Sequence, residues 1–308
     1  MRGSLSAAKG LLFRVQGEVE DTVLQVYIQK RWVIVFAKEA DTMNIFSQEA
    51  LKNEHTLISG ATGGIGYETA KEVVKAGGYI TITGRNEEKL TSLKKECATI
   101  NGEVQICVKV ADLNEKSSQR RVVQDAEQTI GPVTGLVNSA GITGGGPLED
   151  LREEDLRKVM EFNYFSTVLF TQEVYKSMKS QGRGSIVNLS SLSGLRGTHG
   201  GTAYSASKFA IIGFTQSFAH EAIEHGVRVN AVCPGYVDTT MGRESIRSKG
   251  EREGRTYEKQ RKVAEKGIPS GKLSEPSEVA RTIVYLLTEA STNIVGESLK
   301  ISGGSVMR

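Results

Sequence analysis

From Thr56 onward, short apolar runs alternate with stretches in which apolar residues recur every three or four positions. The runs TLIS (56–59), YITIT (79–83), VQICVKV (104–110), TGLVN (134–138), SIVNLS (185–190) and VRVNAV (227–232) predict strands, and Glu297–Ser302 predicts a last one. Helical periodicity covers about 66–77, 86–98, 115–130, 153–180, 204–225 and 276–289. The strands are mostly apolar rather than alternating, as expected where helices cover both faces of a parallel sheet. Right-handed crossovers then leave few arrangements. The expected architecture is α/β: a doubly wound parallel sheet of about seven strands in one domain over residues 54–308, with its site at the carboxyl ends of the strands.

Residues 1–53 form an extension of a different character. The first fourteen carry Arg2, Lys9 and Arg14 and no acidic residue, a composition shared with organelle-targeting peptides. An extension ahead of a start at Met43 accounts for them equally well. VLQVYIQ and WVIVF look strand-like, either a hairpin at a sheet edge or a peripheral one. The apolar run Trp32 to Ala37 is far too short to cross a bilayer.

Composition narrows the function classes. A formal net charge of +3 over 308 residues makes no global case for nucleic-acid binding. Cys97, Cys107 and Cys233 form no CxxC pair and no metal-ligand spacing, which favours a reducing compartment, the cytoplasm, and predicts no metal.

The candidate chemistry begins at HTLISGATGGIGYETAKEVVKAG (55–77), where a strand meets a glycine cluster and then a helix. This unit brings backbone close to a pyrophosphate, which rests against the free N–H groups of a helix N-terminus. Gly60, Thr62, Gly63, Gly64, Ile65 and Gly66 are therefore candidate cofactor-binding residues. At the end of the second strand an Asp or Glu would accept from a ribose 2′-hydroxyl and repel a 2′-phosphate. Here the strand runs into Gly84, Arg85 and Asn86, and the planar donors of Arg85 suit a phosphate. NADP(H) is favoured, with NAD(H) the alternative. Asp112, beside Leu113, follows the third strand near the adenine end, and Asn138 closes the fourth before SAG (139–141), where Ala140 permits close approach.

Tyr204 and Lys208 stand four apart at the start of a predicted helix, so their side chains share a face. A nearby ammonium favours the phenolate, which fits Tyr204 to exchange a proton with a carbonyl or alcohol oxygen. Ser191, at the end of the SIVNLS strand, is expected to hold the substrate oxygen, while strand alternation turns Ser190 away. Asn163, a poor helix former inside a helical segment, is expected to bind a water leading to Lys208. His199, in the THGG loop, is a candidate substrate contact; His220 and His225 have no metal-spaced partners.

Together these motifs resemble the short-chain dehydrogenase/reductase family, in particular its 3-oxoacyl-(acyl-carrier-protein) reductases and polyketide ketoreductases. The resemblance runs from Glu54 to the C-terminus, with SGATGGIG for TGxxxGxG and NSAG for NNAG. It implies a Rossmann-like fold and a catalytic tetrad of Asn163, Ser191, Tyr204 and Lys208, the last two also touching cofactor. It further implies that VNAVCPGYVDT (229–239) lies beneath the nicotinamide: Pro234 and Gly235 turn the chain, Val237 faces the carboxamide and Thr239 bonds to it. Residues 236–272 would be a substrate lid, with eight Arg or Lys and four Glu between 243 and 262. That excess suits an acyl-thioester substrate on an acyl carrier protein, or merely a solvated helical pair. A homotetramer, or a homodimer, through helices 153–180 and 204–225 is implied. The expected activity is NADP(H)-dependent reduction of a ketone; the alternatives are an NAD(P)-dependent dehydrogenase of a sugar, steroid or small secondary alcohol, and a non-catalytic dinucleotide sensor.

Overall fold

The computed structural model describes residues 47–307, together with the backbone of four short strands ahead of them. The chain divides into two compact units, Met1–Ser47 and Gln48–Arg308. In the first, Val23–Ile28 and Arg31–Phe36 pair antiparallel with each other, as do Ala7–Ala8 and Leu11–Leu12. Both strand-like segments are thus strands, in a two-stranded sheet of their own. The targeting character of residues 1–14 and the start at Met43 lie outside the described residues.

The second unit alternates strands and helices: β1 His55–Ser59, α1 Gly64–Lys75, β2 Tyr79–Gly84, α2 Glu87–Ile100, β3 Ile106–Val110, α3 Lys116–Ile130 and β4 Gly135–Asn138. There follow α4 Glu153–Met160, α5 Ser166–Gln181, β5 Gly184–Leu189, α6 Thr202–Ile223, β6 Val227–Pro234, α7 Thr240–Arg252, α8 Tyr257–Lys266, α9 Pro276–Leu287 and β7 Ser298–Ile301. The seven strands lie parallel in the order β3-β2-β1-β4-β5-β6-β7. Strand order reverses between β1 and β4, and such a switch point opens a crevice at the carboxyl edge. In register there, Ser59 faces Asn138, and Asn138 faces Asn188.

Apolar strands are possible because both sheet faces are covered. Phe170, Val174 and Met178 of α5 pack with Val122, Val123 and Ala126 of α3 and Ala219 and Ala222 of α6 against Leu57, Leu136 and Ile186. On the other face α1 packs between α2 and α9, with Ala70, Val73, Val74, Val279, Ile283 and Val284 buried. Helix starts are specified locally. The Asn86 side chain accepts from the Lys89 backbone N–H at 2.8 Å to cap α2, and Glu87 and Glu88 sit in its first turn, where the helix dipole favours acids. Glu275 and Glu278 form a capping box around Pro276 at the start of α9.

One predicted helix is not continuous. Between α4 and α5, residues Glu161–Phe165 wind as a π turn, with the Ser166 N–H reaching back to the Glu161 carbonyl. The extra residue changes which side chains face inward, and it falls on EFNYF. The segment after β6 forms two helices, α7 and α8, around Ile246, Ile268 and Leu273, with Tyr236, Tyr257 and Ala264 packed against them.

Candidate active site

Backbone proximity builds the first part of the site. Gly60 follows β1 with φ of 65°, and a Cβ there would lie 2.5 Å from the Ala140 nitrogen. The Ser59 hydroxyl donates to the Val137 carbonyl (3.3 Å) and accepts from the N–H groups of Ser139 (3.2 Å) and Ala140 (3.4 Å). The loops after β1 and β4 are thereby held together. A Cβ on Gly64 would sit 2.5 Å from the Thr239 Cγ2, so that side is closed as well. Gly63 offers no side-chain cap to α1, and the first turn has no acidic residue. The helix therefore presents bare N–H groups in a cradle that only side-chain-free backbone can form, which fits a dinucleotide pyrophosphate. Thr62 and Ile65 are half-buried beside it and Gly66 is buried.

Arg85 is exposed just past β2, its guanidinium carbon 5.3 Å from the centre of the Phe162 ring. The two line a cavity of about 300 Å³ with Ile142, Thr143, Lys158 and Val159. Asp112 is half-buried, and its Oδ1 accepts from the backbone N–H (3.0 Å) and Nδ2 (2.7 Å) of Asn114. The buried Leu113 turns its carbonyl to Gln119 Nε2 at 2.6 Å and to the Ser166 hydroxyl at 3.0 Å. The Asn138 side chain turns into the fold. Its Nδ2 donates at 2.9 Å to both Thr171 Oγ1 and Asn188 Oδ1, inside the sheet and α5. Its Oδ1 is buried and accepts no hydrogen bond among the described residues.

The chemical residues meet at the end of β5. Ser190 is buried and donates to the Lys208 carbonyl at 2.9 Å, while Ser191 is half-buried and accepts from the Ser193 N–H at 3.1 Å. Their opposite directions follow from strand alternation. Tyr204 is half-buried in the first turn of α6, hydrogen-bonded to Ser191. Lys208, one turn on and 4 % exposed, places Nζ 5.8 Å from the Tyr204 ring centre and donates to the Leu189 carbonyl at 2.7 Å.

The electrostatics correct one expectation. Burial raises the Tyr204 phenol above its ordinary value, and the Ser191 hydrogen bond opposes it only in part. Burial also brings the Lys208 ammonium down to about 8, with Cys233 acting weakly the other way. Desolvation, rather than the neighbouring cation, is thus the dominant influence on the phenol in this structure.

Asn163 makes its side-chain hydrogen bonds to protein groups on two elements. The π turn buries it, and its amide brackets Ile142: Oδ1 accepts from the Ile142 N–H at 2.8 Å and Nδ2 donates to the Ile142 carbonyl at 3.0 Å. Nδ2 also donates to the Ser207 hydroxyl at 2.9 Å, which donates to the Tyr204 carbonyl at 2.8 Å. Both amide protons are engaged, so the side chain ties the loop after β4 to the helix of Tyr204.

Across from this cluster, Gly235 donates its N–H to the Ile301 carbonyl at 2.9 Å, so the turn begun at the buried Pro234 is held by β7. Val237 is buried and bridged to Ser274. Thr239 caps α7, its hydroxyl accepting from the Gly242 N–H at 3.1 Å, with its methyl toward Gly64. His199 and His220 are exposed, and among the described residues no His, Cys, Asp or Glu cluster could hold a metal. Sequence reading missed Ser207 and Phe162. Ser207 lay inside the Tyr204–Lys208 motif, but nothing in the chain marked Phe162.

A parallel switch-point sheet with a glycine cradle on one side and a Ser–Tyr–Lys cluster on the other defines a class: oxidoreductases that use a nicotinamide dinucleotide. The family model described as short chain dehydrogenase matches residues 54–250, and the chain belongs to that family. A 3-oxoacyl-(acyl-carrier-protein) reductase of Thermotoga maritima is 35% identical over 257 residues, 83% of this chain and 99% of the relative. Among solved structures, an actinorhodin polyketide ketoreductase variant with NADPH matches with a TM-score of 0.80 and 32% identity, over 83% of this chain and 98% of that one. An NAD⁺-bound xylitol dehydrogenase matches with a TM-score of 0.79 and 25% identity, over 82% and 99%. The chain is an oxidoreductase, and its relatives support ketone reduction. Among the described residues no helix is long and apolar enough to cross a membrane.

Proposed function

We propose that this protein is an NADP(H)-dependent reductase that converts a ketone, carried as a 3-oxoacyl thioester, into a secondary alcohol. The observation that carries the reading is the convergence of Ser191, Tyr204 and Lys208 beside the glycine cradle. The bound nicotinamide supplies the hydride. The Ser191 hydroxyl donates to the ketone oxygen and draws off its growing negative charge. Tyr204, a phenol that burial holds above its ordinary value, delivers its proton to that oxygen. Lys208, charged below about pH 8, stabilises the phenolate left behind. Asn163 positions rather than reacts, holding Ile142 and Ser207 in place. Pro234, Gly235, Val237 and Thr239 frame the nicotinamide side, and Gly60 to Gly66, Asp112, Leu113 and Ala140 the remainder of the dinucleotide.

The NADP(H) preference rests on Arg85 and on the absence of a carboxylate where β2 ends. Arg85→Ala is expected to raise KM for NADPH about tenfold while changing that for NADH little, since a charge-assisted bond to phosphate is lost. Equal effects on both would remove the assignment. The thioester preference follows the name of the Thermotoga maritima relative and the cationic α7–α8 segment. A panel of 3-oxoacyl thioesters, sugars and cyclic ketones tests it against the second reading, a sugar or secondary-alcohol dehydrogenase, which the xylitol dehydrogenase likeness favours. A dinucleotide sensor without turnover has no use for the intact Ser191, Tyr204 and Lys208. Residues 54–308 constitute the catalytic domain in this reading, with 236–272 its lid, acting in the cytoplasm. Exposed Leu156, Phe165, Phe209 and Ile223 on and between α4 and α6 support a homodimer or homotetramer, which light scattering would test.

A further inference from the structure

Three segments meet beside the reacting groups. Gly200, between Ser191 and Tyr204, has φ of 68°, and a Cβ there would lie 3.3 Å from Arg252 Nη1, 3.9 Å from the Gly146 carbonyl carbon and 4.0 Å from the Pro147 nitrogen. Arg252, the last residue of α7, thus rests on side-chain-free backbone where the loops after β4 and β5 touch. Arg196 leaves the second of these loops shortly after Ser191, and both guanidiniums act on the phenol of Tyr236. Burial pushes that phenol up, the two arginines oppose it, and Glu253 acts with burial. Glu253 is no partner for them: its carboxylate is held by Arg255, with Lys249 at 4.0 Å. Arg196 and Arg252 are exposed, and neither forms an ion pair or a side-chain hydrogen bond among the described residues.

Two guanidiniums brought to one phenol without a free carboxylate repel each other. An anion with paired oxygens relieves that repulsion and takes charge-assisted, bidentate hydrogen bonds. We propose that Arg196 and Arg252 bind an anionic group, a carboxylate or a phosphate, carried by the substrate at the end away from its ketone, so that the protein selects charged ketones over neutral ones. The ketone lies at Ser191 and Tyr204, and the loop between those two residues carries Arg196 and the Gly200 backbone beneath Arg252. Because Arg252 ends α7, the bound anion also ties that helix to both loops. The inference rests on ketone reduction at Ser191, Tyr204 and Lys208 and narrows its substrate class. It needs neither a thioester nor a particular dinucleotide.

The test is steady-state kinetics of the full chain on ketone pairs that differ in one charge. One pair sets oxo acids of increasing length against their methyl esters; the other sets the acetoacetyl thioester of pantetheine 4′-phosphate against that of pantetheine. kcat/KM is expected to favour the charged member of one pair by about 10- to 100-fold, the range of hydrogen bonds to a charged group. The pair that shows it identifies a carboxylate or a carrier-arm phosphate. Arg196→Gln combined with Arg252→Gln should erase the preference through KM, and Arg252→Lys, which keeps the charge but not the fork, should keep part of it. Thermal melting of each variant checks the fold. No preference in either pair, or a double variant that weakens charged and neutral members equally, overturns the proposal. If no ketone is turned over, the reductase reading fails by itself, and calorimetric titration of the dinucleotide-loaded protein with the same pairs reads the anion site directly. A charged-member preference lost in the glutamine variants then sustains the site, and tight binding indifferent to charge overturns it, as does no binding at all.

Discussion

The floor of the site and the segment above it are held by different forces. The floor, comprising the ends of β1, β4 and β5 and the first turns of α6, is fixed by buried and part-buried hydrogen bonds between elements distant in sequence. Ser59 joins two loops, Asn163 joins a loop to a helix, and Ser190 pins the Lys208 carbonyl. The α7–α8 segment is held by a core of only three buried apolar side chains and by ion pairs of partly exposed groups. Asp238 accepts from Arg243 at 2.5 Å and from Arg261 at 2.9 Å, and Arg261 reaches Glu265 at 2.9 Å. Buried networks lose a full desolvation penalty when one partner goes, whereas exposed pairs contribute ~0–1 kcal/mol. A fixed floor preserves reaction geometry; in the lid role proposed for it, the loosely held α7–α8 segment, the proposed cover, opens at little cost.

The largest expected effect lies on the floor. Tyr204→Phe removes the proposed proton donor, and steady-state assays should show turnover falling by ~10²–10⁴ with NADPH affinity nearly unchanged. Full activity in that variant would end the catalytic assignment.

The pH profile sharpens the same side. Burial lowers the Lys208 ammonium to about 8, so it is charged below that pH and neutral above it. kcat/KM for ketone reduction should be level below about 8 and fall above it; a profile level to the ordinary lysine value would deny Lys208 a charged role.

In the cover, Ile246 is 1 % exposed at the centre of its small core. Ile246→Ala should cost about 2–5 kcal/mol of local stability, seen as faster amide exchange over 240–266, with a higher substrate KM and an almost unchanged Tm. A global Tm drop of the size expected for a core residue such as Phe170 would mean that cover and floor unfold as one.

The smallest effect concerns Asp238, whose carboxyl is held below its ordinary value chiefly by the Arg243 hydrogen bond. Its folded pKa is depressed, so the stabilisation is present above the unfolded value near 3.8 and is lost as pH falls through the folded one. Asp238→Asn should reduce stability at pH 7 by no more than about 1 kcal/mol, and less in high salt. A larger, salt-independent loss in denaturant titrations would show these pairs to be more than surface contacts.

Much of this was legible in the chain because the signals were local. Apolar runs of four to seven residues and amphipathic stretches between them reported strands and helices, since each depends on side chains a few positions apart. Ser191 over Ser190 followed from two-residue alternation, and Tyr204 with Lys208 from one helical turn.

What stayed hidden depended on distance in sequence. The π turn at 161–165 interrupts a helix whose periodicity looked continuous, and its amide partners at Ile142 and Ser207 lie 21 and 44 residues away. The Asn138 amide finds its partners only when the fold brings Thr171 and Asn188 against it. The phenol of Tyr204 was expected to be governed by a charge four residues along, but the packing that buries it comes from the whole site. Periodicity records which face of an element is apolar; only closure of the sheet and helices decides which polar groups lose water and which partners they then find.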